Sequence, residues 1–286
     1  MTTVNSRNVF NIALDGNFDD CQQLVKSMFA DEIFRKSINM SGVNSINWSR
    51  IVMQIVYYFF SYFLIAKKWE KINFSVPTGN FGDIYAGYIA KKMGLPINKL
   101  IIATNKNDIL KRVVNSGLYK PLKVEKTISP SMDIQVSSNF ERLIFDVCLG
   151  NAARVTNLMK ALNEKGEFKL EKNELKKINE NFISESLSEK ETNLTIKEIY
   201  NDYKILIDPH SAIGVGVLKK LSIKESVITL ATAHPAKFSN AILDATGIQP
   251  ELPEKVKNII NQEENCENLP NDLKKIQNFI LEKIKT

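Results

Sequence analysis

The sequence predicts a doubly wound α/β fold on a mostly parallel sheet, and three observations carry that prediction. Apolar runs at Ile72–Val76, Leu100–Thr104 and Val227–Ala231 read as strands covered on both faces, as parallel strands are. Helical stretches follow the first two, Ile84–Met93 closed by Gly94 and residues 108–115 ending near Gly117. Strand, helix, strand, helix is the succession of an α/β domain. The chain has 286 residues, 44% hydrophobic and 24% charged, enough for one large domain or two modest ones.

The elements follow in chain order. Cys21–Phe29 has apolar residues at helical spacing after an irregular opening. Ile51–Ala66, IVMQIVYYFFSYFLIA, is apolar all round except Gln54 and Ser61, and Arg50 and Lys67-Lys68 flank it. It falls short of the roughly 20 residues that a membrane span needs, and a helix buried in an α/β core has the same signature. Strand 72–76 leads through Gly79-Asn80-Phe81-Gly82-Asp83 into the next helix. A strand, a glycine turn and a helix start make a phosphate cradle, because free N–H groups and the positive end of the helix dipole face the anion. Residues 160–204 are rich in Lys and Glu and read as a solvated helical insertion. The α/β pattern returns at Tyr203–Asp208, where Asp208-Pro209 fits a helix N-cap and first-turn proline. Residues 251–286 are amphipathic and charged. The expected division is a smaller part, 1–70, and a larger one, 71–286.

Composition narrows the function classes. The formal net charge of +6 is spread over lysines with no arginine–aromatic patch, which argues against nucleic acid and suits an anionic, phosphorylated small molecule. Cys21, Cys148 and Cys266 have no paired or metal-type spacing, and with no signal peptide in view a reducing cytoplasmic setting is expected. The two histidines, His210 and His234, lie near expected helix starts, where capping or packing competes with a role in a site.

Pro77-Thr-Gly-Asn-Phe-Gly-Asp83 resembles the cofactor-phosphate loop of threonine synthases, which use pyridoxal 5′-phosphate (PLP). The resemblance extends to Val43–Arg50, Ala103–Leu110, Ser137–Arg142, Asp208–Ala212 and Thr232–Phe238, in family order. It is faint between about 150 and 200 and beyond about 250. It implies the tryptophan-synthase-β-like fold, fold type II of the PLP enzymes, incomplete at its N-terminus. The smaller domain's remnant and a crossover helix would then occupy residues 1–70, and the PLP-binding domain 71–286. The family's Schiff-base lysine lies upstream of everything present, so no catalytic residue is assigned. Met1 would then be an internal methionine read as a start, with a separate N-terminal chain as partner if the gene is split.

The resemblance also implies roles. Gly79, Asn80, Phe81 and Asp83 match the loop that holds the PLP phosphate, while for Asp83 an N-cap role is the alternative. Thr232 matches the residue facing the PLP ring nitrogen, with a strand-end backbone contact as the alternative. Asn47 and Arg50 are candidates for the substrate phosphate, or equally structural. The implied reaction turns O-phospho-L-homoserine and water into L-threonine and phosphate, and this stretch by itself is expected to be inactive, with an exposed apolar edge. Two other readings are a different fold type II lyase, against which Asn80-Phe81 between the glycines argues, and a non-catalytic remnant keeping a phosphate pocket.

Overall fold

The computed structural model describes residues 2–284 apart from Asn5, Asn17 and Ile46; Met1 and Ile46, both used in the sequence argument, lie outside the described residues. In chain order the elements are β1 (Ile12–Leu14), α1 (Phe18–Ala30), α2 (Glu32–Ser37), α3 (Trp48–Ile65), β2 (Ile72–Pro77), α4 (Gly82–Lys92), β3 (Ile97–Thr104), α5 (Ile109–Ser116) and β4 (Leu118–Tyr119). They continue as α6 (Phe140–Val147), α7 (Ala152–Lys165), β5 (Phe168–Lys169), α8 (Lys172–Asn181), β6 (Phe182–Ser186), α9 (Glu189–Tyr203) and α10 (Pro209–Leu221). The last are β7 (Val227–Thr229), α11 (Ser239–Thr246), β8 (Glu267–Leu269) and α12 (Leu273–Ile284).

The chain forms two compact units, one of residues 1–42 with 252–286 and one of residues 43–251. This boundary places α3 in the larger unit, whereas the sequence reading divided the chain after it, at residue 70. In the smaller unit β1 and β8 pair in parallel, and Leu24, Met28, Phe34 and Ile276 form its core.

The larger unit is built on a parallel sheet of order β6-β3-β2-β7 among the described residues. Alternate residues of β3 serve opposite faces, as the two-residue strand period requires. Leu100 and Ile102 enter one core with Phe74, Val76, Ile84 of α4 and Tyr58 of α3. Ile101 and Ala103 enter the other with Ile213 and Val217 of α10. The doubly wound α/β reading therefore holds. α10 packs closely: a Cβ on its Gly214 would stand 2.8 Å from Thr229 Cγ2 and 3.3 Å from Pro77.

Three expectations change. The Lys/Glu-rich stretch 160–204 is no mere surface insertion, because β6 within it pairs with β3 from Leu100↔Phe182 to Thr104↔Ser186. Its Ser and Glu residues and the charged helices around it hide the strand pattern. No strand forms at 203–208, where the chain runs directly into the cap of α10. The helix expected to be buried all round is buried on one side only. Ile51, Ile55, Tyr58 and Tyr62 of α3 sit in the core, while Met53, Val56, Tyr57, Phe60, Phe63 and Leu64 are exposed. By length and composition alone α3 could cross a membrane, yet its inner face is a set of core contacts.

Candidate cofactor site

The strand order places two sequence blocks side by side. β3 and then β6 add to one side of β2, and β7 returns to its other side. β2 and β7 are thus neighbours at a reversal of strand order, the place where open α/β sheets bind ligands beyond their carboxyl ends. Ser75 of β2 pairs with Thr229 of β7, so the loop carrying Gly79–Asp83 and the segment carrying Thr232 leave adjacent strand ends.

The turn at α4 is shaped from several directions. Gly79 passes so close to the 129–134 loop that an added Cβ would stand 2.8 Å from the Ser131 carbonyl oxygen and 3.2 Å from Met132 Cα. Both are backbone atoms, which yield poorly, so only glycine fits. Phe81 occupies the N-cap position in the left-handed region, φ 69°. Its ring is buried, edge-on to Phe140 at 5.3 Å and tilted against Phe182 at 5.6 Å. Phe81 thus offers a ligand only its main chain. Asn80 Oδ1 accepts the Gly82 N–H at 2.9 Å. Ser137 Oγ donates to the Gly79 carbonyl at 2.8 Å, and Asn139 donates to the Asn80 carbonyl from its main chain at 3.0 Å and from Nδ2 at 3.2 Å. With those carbonyls engaged, the N–H groups of Phe81, Asp83 and Ile84 have no acceptor among the described residues. Free first-turn donors with the helix dipole behind them suit a phosphate.

Asp83 is not a cap, because Phe81 holds that position. Its carboxyl turns to Tyr58 of α3, whose hydroxyl lies 2.8 Å from the Asp83 carbonyl oxygen and 3.1 Å from Oδ1. Burial pushes the Asp83 carboxyl up to about 6, and the Tyr58 hydrogen bond opposes this only in part. Burial, with Asp83 beside it, drives the Tyr58 hydroxyl well above its ordinary value. Toward an anion, Asp83 therefore offers its main-chain N–H while its side chain braces α3.

Thr232 is exposed just past β7, and its N–H donates to Ser211 Oγ at 3.3 Å. Ser211 in turn donates to the Asp208 carboxylate, which caps α10 through the N–H groups of His210 (2.9 Å) and Ser211 (3.3 Å). Burial works against the Asp208 charge, but hydrogen bonds from His210 and Ser211 outweigh it and hold the carboxyl below its ordinary range. His210 is buried, with Nδ1 2.8 Å from Asp208 Oδ1 and Nε2 accepting the Ser131 N–H at 3.3 Å. That arrangement fixes the proton on Nδ1. His210 thereby clamps the loop whose Ser131 carbonyl abuts Gly79. His234 is exposed and caps the Pro235–Phe238 turn. Packing and capping describe both histidines.

Asn47 caps α3, its Oδ1 accepting the Ser49 N–H at 2.8 Å. Arg50 is exposed and reaches the Val43 carbonyl at 3.3 Å. The block reaches the phosphate turn through Asn139, whose Nδ2 also donates to the Ser45 carbonyl at 2.9 Å. Of the lysines in motif blocks, Lys106 pairs with Glu125 at 2.8 Å and Lys237 lies exposed over the Phe238 ring. Sequence reasoning gave no role to Tyr58, Ser137, Asn139 or Ser211. Ser137, Asn139 and Ser211 lie inside recognised blocks, and that position was the signal available for them; the fold adds that all three are buried.

Comparisons with known proteins point one way. A family model described as "Threonine synthase, C-terminal" matches residues 211–280. The chain is 45% identical to threonine synthase of Pseudomonas aeruginosa, over 98% of this chain and 60% of that protein. It is 46% identical to the Saccharomyces cerevisiae threonine synthase, over 86% of this chain and 52% of the yeast protein. The crystal structure of PLP-bound threonine synthase from Brucella melitensis superposes with a TM-score of 0.95 and 45% identity, covering 100% of this chain and 62% of that one. The Escherichia coli threonine synthase superposes with a TM-score of 0.76 and 29% identity, over 98% of this chain and 60% of that one. The chain thus spans about three fifths of the length of these relatives. By sequence and by fold, the chain is similar over that span to the corresponding part of threonine synthases.

Proposed function

We propose that this chain forms the cofactor-phosphate side of a threonine synthase, a PLP enzyme that converts O-phospho-L-homoserine and water to L-threonine and phosphate. The observation that carries the reading is the α4 turn: a glycine that admits no Cβ, a left-handed residue at the cap, engaged carbonyls and free first-turn N–H groups, beside Thr232 on the adjacent strand end. The residues fit the group, because a phosphate needs several donors and no facing carboxylate, and the Asp83 carboxyl is turned to Tyr58.

When bound, PLP supplies the electron sink that stabilises negative charge on the substrate's carbon skeleton. The N–H groups of Gly79, Asn80, Phe81 and Asp83 would hold its phosphate at the helix end. The Thr232 hydroxyl would face the ring nitrogen, and as a neutral group it tunes the ring less than a carboxylate would. Asn47 and Arg50 would serve the substrate phosphate, and the positive net charge favours an anionic substrate. Free thiols at Cys21, Cys148 and Cys266 accord with a reducing, cytoplasmic setting.

No lysine here matches the family's Schiff-base position, so the 286 residues by themselves are expected to release no threonine. Threonine and phosphate from a contaminant-free preparation of the chain would overturn that. The cofactor reading is tested with pyridoxamine 5′-phosphate, which needs no lysine. Saturable one-to-one binding by calorimetry, competed by PLP and weakened at least tenfold by Gly79→Ala, is expected. Binding absent, or indifferent to that substitution, would sink the assignment.

A further inference from the structure

We propose that Asp208 is a positioning residue that fixes two walls of the candidate site to one buried charge, through Ser211 to Thr232 and through His210 to the loop that shapes Gly79; that these walls enclose a cofactor rests on the PLP reading above. Asp208 is 1% exposed, and no lysine or arginine pairs with it among the described residues. Its charge is met instead by four hydrogen bonds, from the N–H groups of His210 and Ser211, from His210 Nδ1 and from Ser211 Oγ. Despite its burial, the bonds from His210 and Ser211 hold the carboxyl below its ordinary range, so it stays ionised at neutral pH. Capping α10 needs only the two main-chain donors. The two side-chain donors do more, because each is half of a longer connection.

An ionised carboxylate only accepts, so it dictates the direction of both connections. Ser211 points its proton at Asp208, which leaves its lone pairs to take the Thr232 N–H at 3.3 Å. His210 carries its proton on Nδ1, which leaves Nε2 to take the Ser131 N–H at 3.3 Å. The Ser131 carbonyl is the atom that stands against Gly79, and Thr232 follows the neighbouring strand end. One acid group therefore sets the place of the glycine wall and of the residue assigned to the ring nitrogen. The anchor is itself held: Ser75 Oγ of β2 donates to the Gly214 carbonyl of α10 at 2.5 Å, and the His210 ring lies 4.8 Å from the Phe238 ring. A pyridine ring suits such a device, because it is rigid and the distance from its nitrogen to the carbon bearing the phosphate arm does not adjust. A site for it gains from walls that share a single reference.

The test uses the full chain with Ser211→Ala, His210→Asn, His210→Gln and Asp208→Asn, and reads residue-resolved amide hydrogen exchange. Ser211→Ala should speed exchange of the Thr232 N–H about fivefold or more and leave Ser131 unchanged, since a donor that loses its partner opens more often by that order. His210→Asn keeps a donor for Asp208 but loses the acceptor for Ser131, and should do the reverse. His210→Gln places an amide oxygen near the lost Nε2 and should restore protection at Ser131. Asp208→Asn keeps the size and one acceptor oxygen, yet its amide lets both arms turn, so both N–H groups should exchange faster. The Leu100 N–H, in the central strand β3, should exchange at the parent's rate in every variant. A Ser131 response to Ser211→Ala, a Thr232 response to His210→Asn, no response to Asp208→Asn, or equal acceleration at Leu100 would each overturn the proposal. The second readout is bound pyridoxamine 5′-phosphate carrying nitrogen-15 in its ring. Ser211→Ala should move the ring-nitrogen resonance and not the phosphorus one, and His210→Asn should move phosphorus alone. A parent chain that shows the expected exchange pattern but binds no pyridoxamine phosphate refutes the cofactor assignment and leaves the two arms of Asp208 intact. Ligand bound with both resonances indifferent to the substitutions refutes the positioning role and leaves the cofactor assignment intact.

Discussion

Replacing Asp83 by Asn should make the protein more stable at neutral pH and leave it unchanged in acid. The Asp83 carboxyl titrates at about 6 in the fold, against an ordinary value of 3.8. The folded state therefore holds this proton more tightly than the unfolded chain does. For an acid raised in this way, full stability is present below about pH 4 and is lost as pH climbs from about 4 to 6. Each pH unit of that interval is worth about 1.36 kcal/mol. Two units thus set an upper limit of about 3 kcal/mol on the destabilisation by Asp83 at pH 7.5. Asparagine is neutral and keeps an oxygen for the Tyr58 hydroxyl. Urea unfolding midpoints for both proteins between pH 4 and 7.5 measure this. The gap in favour of Asp83→Asn should open through that window and then stay constant. A gap that does not vary with pH, or a variant less stable at pH 7.5, would refute the reasoning. Tyr58→Phe removes the one hydrogen bond that lowers Asp83 and should move the transition to higher pH.

Further outcomes can be checked alongside. Gly79→Ala forces a methyl group against the Ser131 carbonyl and Met132 Cα and should cost about 1–3 kcal/mol, read as a lower urea midpoint. Asn139→Ala strips donors from the Asn80 and Ser45 carbonyls; it should cost about 1–3 kcal/mol in the same assay and weaken pyridoxamine phosphate binding. Glu174 is held down to about 2, first by its hydrogen bond from Arg154, with burial opposing and the Glu171 N–H helping. Its contribution is therefore full above about pH 4.5 and fades as pH falls toward 2. Glu174→Gln should lose up to about 3 kcal/mol at pH 7, shrinking in acid, by urea unfolding at each pH.

The parts of the sheet that could be read from sequence were those with uninterrupted apolar runs. β2 and β3 stood out because both their faces are covered, and the glycine turn between β2 and α4 marked the site. β6 did not, because a strand of five residues carrying Ser184, Glu185 and Ser186 gives no apolar run and lies between Lys/Glu-rich helices. α3 was read as wholly buried because an all-apolar helix looks the same whether its second face meets its own domain or something else. At the site, Gly79 and Phe81 could be named from the motif, but Asn139, Ser137 and Tyr58 act across 25 to 59 residues of sequence, and no local pattern reports such partners. Asp83 was placed beside the phosphate by motif. Only the fold reveals that Tyr58 claims its carboxyl.

Position 81 carries two demands that pull toward different amino acids. Its backbone is left-handed, which costs a non-glycine residue about 1–2 kcal/mol and would be relieved by glycine. Its ring heads an aromatic file, Phe140 at 5.3 Å, then Tyr119 stacked at 5.6 Å, then Phe168 at 4.7 Å. Emptying such a site costs about 3–5 kcal/mol, so the ring outweighs the strain and glycine is the worse choice. Asparagine tolerates the backbone but would bury an amide among rings, and leucine fills space without the edge-on contacts. Variation among functional sequences should therefore be narrow at 81 and should covary with 140, since a smaller ring at one position requires a larger one at the other. The anion-binding turn would then evolve at the pace of the hydrophobic core beneath it, not at that of a surface loop.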